Sequence, residues 1–157
     1  MINLLSDPLI SIIIPVLNGH TFLKRCFNTL EKQDYSNLEI IFVDNGSTDG
    51  STLIISDYCS KQKNHFLFNC TKRGPGAARN EGINFAKGEY ISFLDVDDEI
   101  EPDKHNALLD ELRGCPQASM AIGQTKIKYS DGRLSSISLG PLEVGLHIPP
   151  IPGFLWL

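Results

Sequence analysis

No apolar run in this 157-residue sequence approaches the 18 or more residues needed to cross a membrane. The N-terminus has no basic region followed by a long apolar stretch, so a secretory leader is not expected. No cluster of Lys and Arg exceeds two residues (Lys24-Arg25 and Lys72-Arg73), and the net charge is −5. That balance argues against nucleic acid or an anionic lipid surface as the main partner. An anionic ligand would have to be held by a few placed cations, by backbone N–H groups or by a metal ion. The four cysteines (Cys26, Cys59, Cys70 and Cys115) include no CxxC pair. Reduced, mostly buried thiols and a reducing, cytoplasmic compartment are therefore expected. None of His20, His65, His105 and His147 stands near a serine or cysteine in a nucleophile arrangement. What is present, 41% hydrophobic and 21% charged residues without repeats, is the composition of an ordinary globular domain.

The first two-thirds of the chain alternate between apolar runs and helical patterns. Leu9–Pro15 is a continuous β-branched run and reads as a strand buried on both faces. A helix is expected over Thr21–Gln33, with Phe22, Leu23, Cys26, Phe27 and Leu30 at helical spacing. Leu38–Asp44 reads as a second buried strand, running into Asn45-Gly46-Ser47-Thr48-Asp49, a tight turn with Ser47 to Asp49 as N-cap candidates. A short helix carrying Leu53, Ile54 and Tyr58 follows, then a third strand at Phe66–Asn69. Gly74-Pro75-Gly76 leads into a helix over Ala77–Lys87 with Gly88 as its C-cap, and Glu89–Leu94 reads as the fourth strand. Pro102 opens a further helix that ends near Gly114. Such βαβαβαβ order calls for an α/β fold: a mainly parallel sheet flanked by helices on both faces. Met120–Tyr129 and Leu134–Ser138, around Ser130-Asp131-Gly132-Arg133, read as a C-terminal β-hairpin. Leu139–Leu157 is Pro-rich and aperiodic and ends on an apolar Gly-Phe-Leu-Trp-Leu, as expected of a chain cut within a larger protein.

Ligands of open parallel sheets bind at the carboxyl ends of the strands, and here those ends carry the informative residues. Asp95, Asp97, Asp98 and Glu99 place four carboxylates within five residues. Two carboxylates about 4 Å apart repel by roughly 4 kcal/mol at an effective dielectric of 20. Oxygen-only donors suit Mg²⁺ or Mn²⁺, with substrate phosphates completing the shell. The alternative is an exposed acidic helix start that complements the dipole. The spacing is not that of an EF-hand loop, because Ile100 stands where glycine is needed. Asp44 could accept a hydrogen bond from a ribose hydroxyl or a base N–H, or could cap its own turn through Ser47 or Thr48. The Gly74–Asn80 segment matches neither GxGxxG nor the P-loop. Its glycines admit a close backbone approach, and Arg79 could fork onto a phosphate or pair with an aspartate.

Taken together these segments resemble the inverting family 2 glycosyltransferases, whose fold is GT-A (Rossmann-like). Ser11–Gly19 is similar to that family's opening strand and the loop that lies against the nucleotide base, at Pro15, Leu17 and Asn18. Val43–Ser51 is close to "VDDGSTDGS", with Asn45 at the usual second Asp. Gly74–Gly82 matches "GxxxARNxG", and Phe93–Asp98 matches the "FLDxDD" form of the DxD motif. The four motifs fall in order over about residues 8–115. The resemblance implies a nucleotide-sugar donor site in which Asp44 reads the base and Gly74 and Arg79 lie near the base and diphosphate. It further implies that Asp95 holds the ribose or sugar side and that Asp97 binds a divalent metal, Mn or Mg. The metal would neutralise the departing nucleoside diphosphate.

On this reading the chain is a single GT-A-like domain, 1–157, with residues 8–115 as the nucleotide-sugar-binding part and 116–157 as the start of an acceptor part. The expected reaction is inverting transfer from a UDP-sugar to a saccharide or lipid-linked acceptor, as in polysaccharide or cell-envelope biosynthesis. The family's catalytic base, often in an "ED" pair beyond the DxD motif, has no counterpart: after Glu111 only Asp131 and Glu143 remain. Donor binding is thus expected more firmly than transfer, and the alternative is a non-catalytic nucleotide- or sugar-binding module. A nucleotidyltransferase ranks last, since it needs a Gly-rich, basic loop where Val16–His20 stands. Dimerisation through Phe154, Leu155 and Trp156, and peripheral association of the full-length protein with the cytoplasmic face of a membrane, are further expectations.

Overall fold

Every residue of β1 (Ile10–Val16) is buried, so both faces of this strand must be covered, as its unbroken apolar run requires. The computed structural model describes residues 7–129 and 131–136. Two units divide the chain, Met1–Asp103 and Lys104–Leu157. In the first, β1 is followed by α1 (His20–Glu31), β2 (Leu38–Asp44), α2 (Ser51–Ser60), β3 (His65–Asn69), α3 (Pro75–Phe85) and β4 (Tyr90–Phe93). The strands form one parallel sheet in the order β3-β2-β1-β4. This is the expected α/β architecture.

The two faces of the sheet bury different partners. Ile12, Ile14 and Val16 pack with Ile40 and Phe42 against Leu23, Cys26 and Leu30 of α1 and Ile55 of α2. Ile13, Ile41 and Val43 point the other way, onto Ala78 of α3 and Cys70. Each fully buried Ile or Val contributes about 1.5–3 kcal/mol of transfer free energy, so the middle of the sheet anchors the unit. All four cysteines are free thiols. Burial pushes the Cys26 thiol up to about 12, so it stays protonated and unreactive.

Element ends differ from the sequence reading in three instructive places. Helix α3 starts at Pro75, two residues early, because proline's fixed φ suits the first helical turn. It stops at Phe85, and Gly88 is not its cap. Gly88 is small for another reason: a Cβ there would lie 2.6 Å from the Ser11 backbone nitrogen. Helix α2 is preceded by Gly50, with no side-chain cap in the N-cap position. The Asp49 carboxylate instead accepts from the Ser51 N–H and hydroxyl, at 3.0 and 2.6 Å.

The second unit holds α4 (Lys104–Gly114) and an antiparallel pair, β5 (Lys126–Lys128) and β6 (Leu134–Ser136), closed around Gly132 at φ +84°. The hairpin is thus present with shorter strands than its sequence suggests. No helix among the described residues is long and apolar enough to cross a membrane. Ser138, Glu143, the Pro-rich segment and the Phe154-Leu155-Trp156 tail lie outside the described residues.

Candidate functional site

Strand order 3-2-1-4 places the reversal of winding between β1 and β4, where open α/β sheets bind ligands at the carboxyl edge. The β1–β4 register ends at Ile13↔Phe93, and the Leu94 N–H still donates to the Ile13 carbonyl at 3.1 Å. Pro15, two residues on, faces the same side and has no N–H to continue the ladder. The chain after Phe93 therefore leaves the sheet and carries the acidic run along its edge.

Beyond Val16, Leu17 is exposed and Asn18 adopts the left-handed conformation at φ 53°. Its side chain is used structurally: Asn18 Oδ1 accepts from the Thr48 N–H at 2.8 Å, while the Asn18 N–H donates to Ser47 Oγ at 2.9 Å. Next to this reciprocal pair, the His20 N–H donates to Asp49 Oδ2 at 2.9 Å. The loops after β1 and β2 are thereby latched together. The Ser51 hydroxyl and then the His20 and Ser51 N–H groups hold the Asp49 carboxyl down at about 2, so it is ionised at neutral pH.

Asp44 is only 5% exposed at the end of β2. Its Oδ1 accepts from the Ser47 N–H at 3.1 Å and its Oδ2 from the Thr52 hydroxyl at 3.0 Å. The turn-capping role is real, shared with Thr52 and not Thr48. Each carboxylate oxygen keeps a second acceptor position, so a ribose or base donor is still chemically admissible. Asn45 beside it is buried and makes three bonds to the β3–α3 connection. Its Nδ2 donates to the Cys70 and Lys72 carbonyls at 3.2 and 2.7 Å, and its Oδ1 accepts from the Gly74 N–H at 2.7 Å. Gly74 stands at φ 114°, a conformation only glycine adopts without strain, and added Cβ atoms at Gly74 or Gly76 would meet open space. That loop backbone is consequently accessible from outside.

Arg79 of α3 and Asp95 meet in a charge-assisted bond, Nη2 to Oδ1 at 2.6 Å, with the arginine the more buried partner. Glu99 lies 3.7 Å from the Arg25 guanidinium. Two arginines thus relieve the crowding that the four carboxylates produce, which the sequence alone would assign to a cation. Among the described residues no three His, Cys, Asp or Glu side chains converge as a ready-made metal cage. Asp97 is exposed on the same loop, and a single carboxylate of this kind suits Mg²⁺ or Mn²⁺. Those ions take one or two protein carboxylates and complete their shell with water and substrate phosphate.

Asp131 sits in the hairpin turn, bonded to the Arg133 N–H at 3.0 Å and to its guanidinium at 2.6 Å. The Arg133 backbone and then its side chain lower the Asp131 pKa, which weakens it as a proton acceptor. Asn45, read in the sequence only as a departure within its motif, and Arg25, which falls in no motif, hold the loops in place. The amide of Asn45 is distinguishable from aspartate only by what it must donate to. Arg25 and Thr29 of α1, with Gln33 just past its end, are three polar side chains at four-residue spacing.

Residues 11–145 match the family model "Glycosyl transferase family 2". A glycosyltransferase of Haemophilus influenzae is 47% identical over 98 residues, which cover 62% of this chain and 39% of the relative. A poly(ribitol-phosphate) beta-glucosyltransferase of Bacillus spizizenii is 45% identical over 131 residues, covering 79% of this chain and 20% of its own. Among solved structures, S. aureus TarS 1-349 in complex with UDP-GlcNAc superposes with a TM-score of 0.60 at 31% identity, over 67% of this chain and 32% of that one. A mannosyltransferase of Pyrobaculum calidifontis, in complex with GDP-Man and Mn²⁺, shares the fold at a TM-score of 0.63 and 24% identity, over 69% of this chain and 33% of its own. The chain therefore spans well under half the length of these relatives.

Proposed function

Because the chain belongs to glycosyl transferase family 2, we propose that its strand-end edge is the donor site of a metal-dependent, inverting glycosyltransferase using a UDP-sugar. The observation that carries this reading is the convergence at the sheet edge. Three separate connections bring Asp44, the open Gly74 backbone, the Arg79–Asp95 pair and Asp97 to the carboxyl ends of parallel strands. The relative solved with UDP-GlcNAc at 31% identity supports a uridine nucleotide.

In this reading Pro15, Leu17 and Asn18 form the wall against the base, with exposed Leu17 as the apolar surface. Asp44 accepts from a base or ribose donor through its spare lone pairs. Arg79 has five N–H donors and uses one on Asp95, so others can fork onto a phosphate. Asp95, half-exposed, faces the ribose or sugar side, and Asp97 supplies the protein oxygen for a divalent cation. When bound, that cation supplies charge neutralisation of the leaving diphosphate. A saccharide or lipid-linked alcohol is the proposed acceptor, with its base supplied from outside the described residues. The engaged state of Asp131 favours one second reading, a donor-binding module without transfer of its own.

Asp97→Asn tests the metal role. Its exposed carboxylate should be replaceable with less than about 0.5 kcal/mol effect on unfolding. Mn²⁺-dependent UDP affinity should fall by about tenfold or more, as losses around metal sites do. Full Mn²⁺-dependent affinity in the variant would contradict the assignment.

A further inference from the structure

The acidic segment after β4 has no strand or helix of its own between Leu94 and Asp103, so its backbone polar groups need outside partners. Helix α1 provides two of them, Arg25 and Thr29 one turn apart on one side, and Gln33, two residues past the helix end, provides a third. The Arg25 guanidinium donates from Nη2 to the Asp97 carbonyl, and its Nε faces Glu99 at 3.7 Å. Thr29, 6% exposed, bonds Ile100 reciprocally: its hydroxyl donates to the Ile100 carbonyl at 2.9 Å and accepts from the Ile100 N–H at 3.0 Å. Gln33 Nε2 donates to the Glu101 carbonyl at 3.2 Å. Leu23, Cys26 and Leu30 of the same helix are buried in the core beside Thr29, so the rail rests on a fixed support.

We propose that Arg25 is a positioning residue for the metal-binding carboxylate: it fixes the backbone of Asp97 and so sets the divalent-cation affinity of the donor site. The inference rests on the donor-site reading above and adds a residue that touches neither nucleotide nor metal. Two features make Arg25 apt. It is the rail's only contact at Asp97 itself among the described bonds, whereas Thr29 and Gln33 hold the loop three and four residues further on. It is also cationic and partly exposed, so its guanidinium holds Glu99 to itself and leaves the Asp97 carboxylate to the ligand. A lysine could keep the charge, but without the planar fork it could not serve the carbonyl and the carboxylate in the same geometry.

The test is a Mn²⁺ titration of the 157-residue chain at saturating UDP, with free Mn²⁺ followed by electron paramagnetic resonance. Parent, Arg25→Ala, Arg25→Lys and Thr29→Ser are compared. Arg25→Ala should raise the half-saturating Mn²⁺ concentration by about tenfold, the lower end of losses seen around metal ligands. The Mn²⁺ bound per chain at saturation should stay the same. Arg25→Lys should fall between Ala and parent, and Thr29→Ser, which keeps the hydroxyl, should match the parent. Thermal melts identify any variant that has lost its fold, and Arg25→Lys then carries the comparison. Half-saturation in both Arg25 variants within twofold of the parent overturns the inference while leaving the donor site intact. A parent that takes up no Mn²⁺ with UDP overturns the donor-site reading and this inference with it.

Discussion

At the scale of single residues, the difference between Asn45 and aspartate is a difference in donors. The Asn45 amide gives two N–H bonds to the Cys70 and Lys72 carbonyls and takes one from Gly74. A carboxylate in its place would set an oxygen against two carbonyl oxygens in a buried position. Asn45→Asp should therefore destabilise the fold by about 1–3 kcal/mol at pH 7, the cost of buried polar groups left without partners. The measurement is urea unfolding. An unchanged midpoint would mean that the amide's donors contribute nothing to holding the loop. This bond set was not legible in the sequence, where Asn45 is only a departure from "VDDGSTDGS". Asp44 was legible as a strand-end acceptor, because its position follows from the run before it. That its two oxygens are already engaged by Ser47 and Thr52 depends on how the turn folds back. Residue type announces chemistry, but only three-dimensional neighbours decide how much of it is still free.

At the scale of elements, the long buried strands were the easiest to read. Ile10–Val16 and Leu38–Asp44 lie in the middle of the sheet and are covered on both sides, so their apolar runs are unbroken. Helix ends were harder, since α3 begins and stops two residues before the expected bounds. Its glycine at position 82 shows why the helix nevertheless sits where it does. A Cβ on Gly82 would fall 2.4 Å from Ile13 Cγ2 and 3.2 Å from Val43 Cγ2, both on fully buried strand residues. Alanine would gain up to about 1 kcal/mol of helix propensity but would overpack this contact at about 1–3 kcal/mol. Gly82→Ala is accordingly expected to be net destabilising, by about 1–2 kcal/mol in chemical unfolding. A stabilised variant would show that α3 can lift off the sheet freely. The side-chain rail along and just past α1 could not be read in advance, because nothing in the sequence ties Arg25, Thr29 and Gln33 to one another or to a distant loop. Their partners lie some seventy residues away in sequence, on the loop after β4.

At the scale of the whole molecule, the net charge of −5 opposes the approach of a nucleoside diphosphate. A donor site on such a body needs local positive charge, and Arg79 already shares its guanidinium with Asp95. On the proposed reading a divalent cation on Asp97 would add positive charge there, which makes cation dependence the central claim. The order of the four motifs made the fold legible before any coordinates. Glu143 and the apolar tail stay outside the described residues. The most direct test is calorimetric titration of UDP into the folded chain, first with Mn²⁺ and then with EDTA. Micromolar-range binding in Mn²⁺ that disappears in EDTA is the result predicted here. Absence of UDP binding in both conditions, or equal affinity with and without the cation, would contradict it.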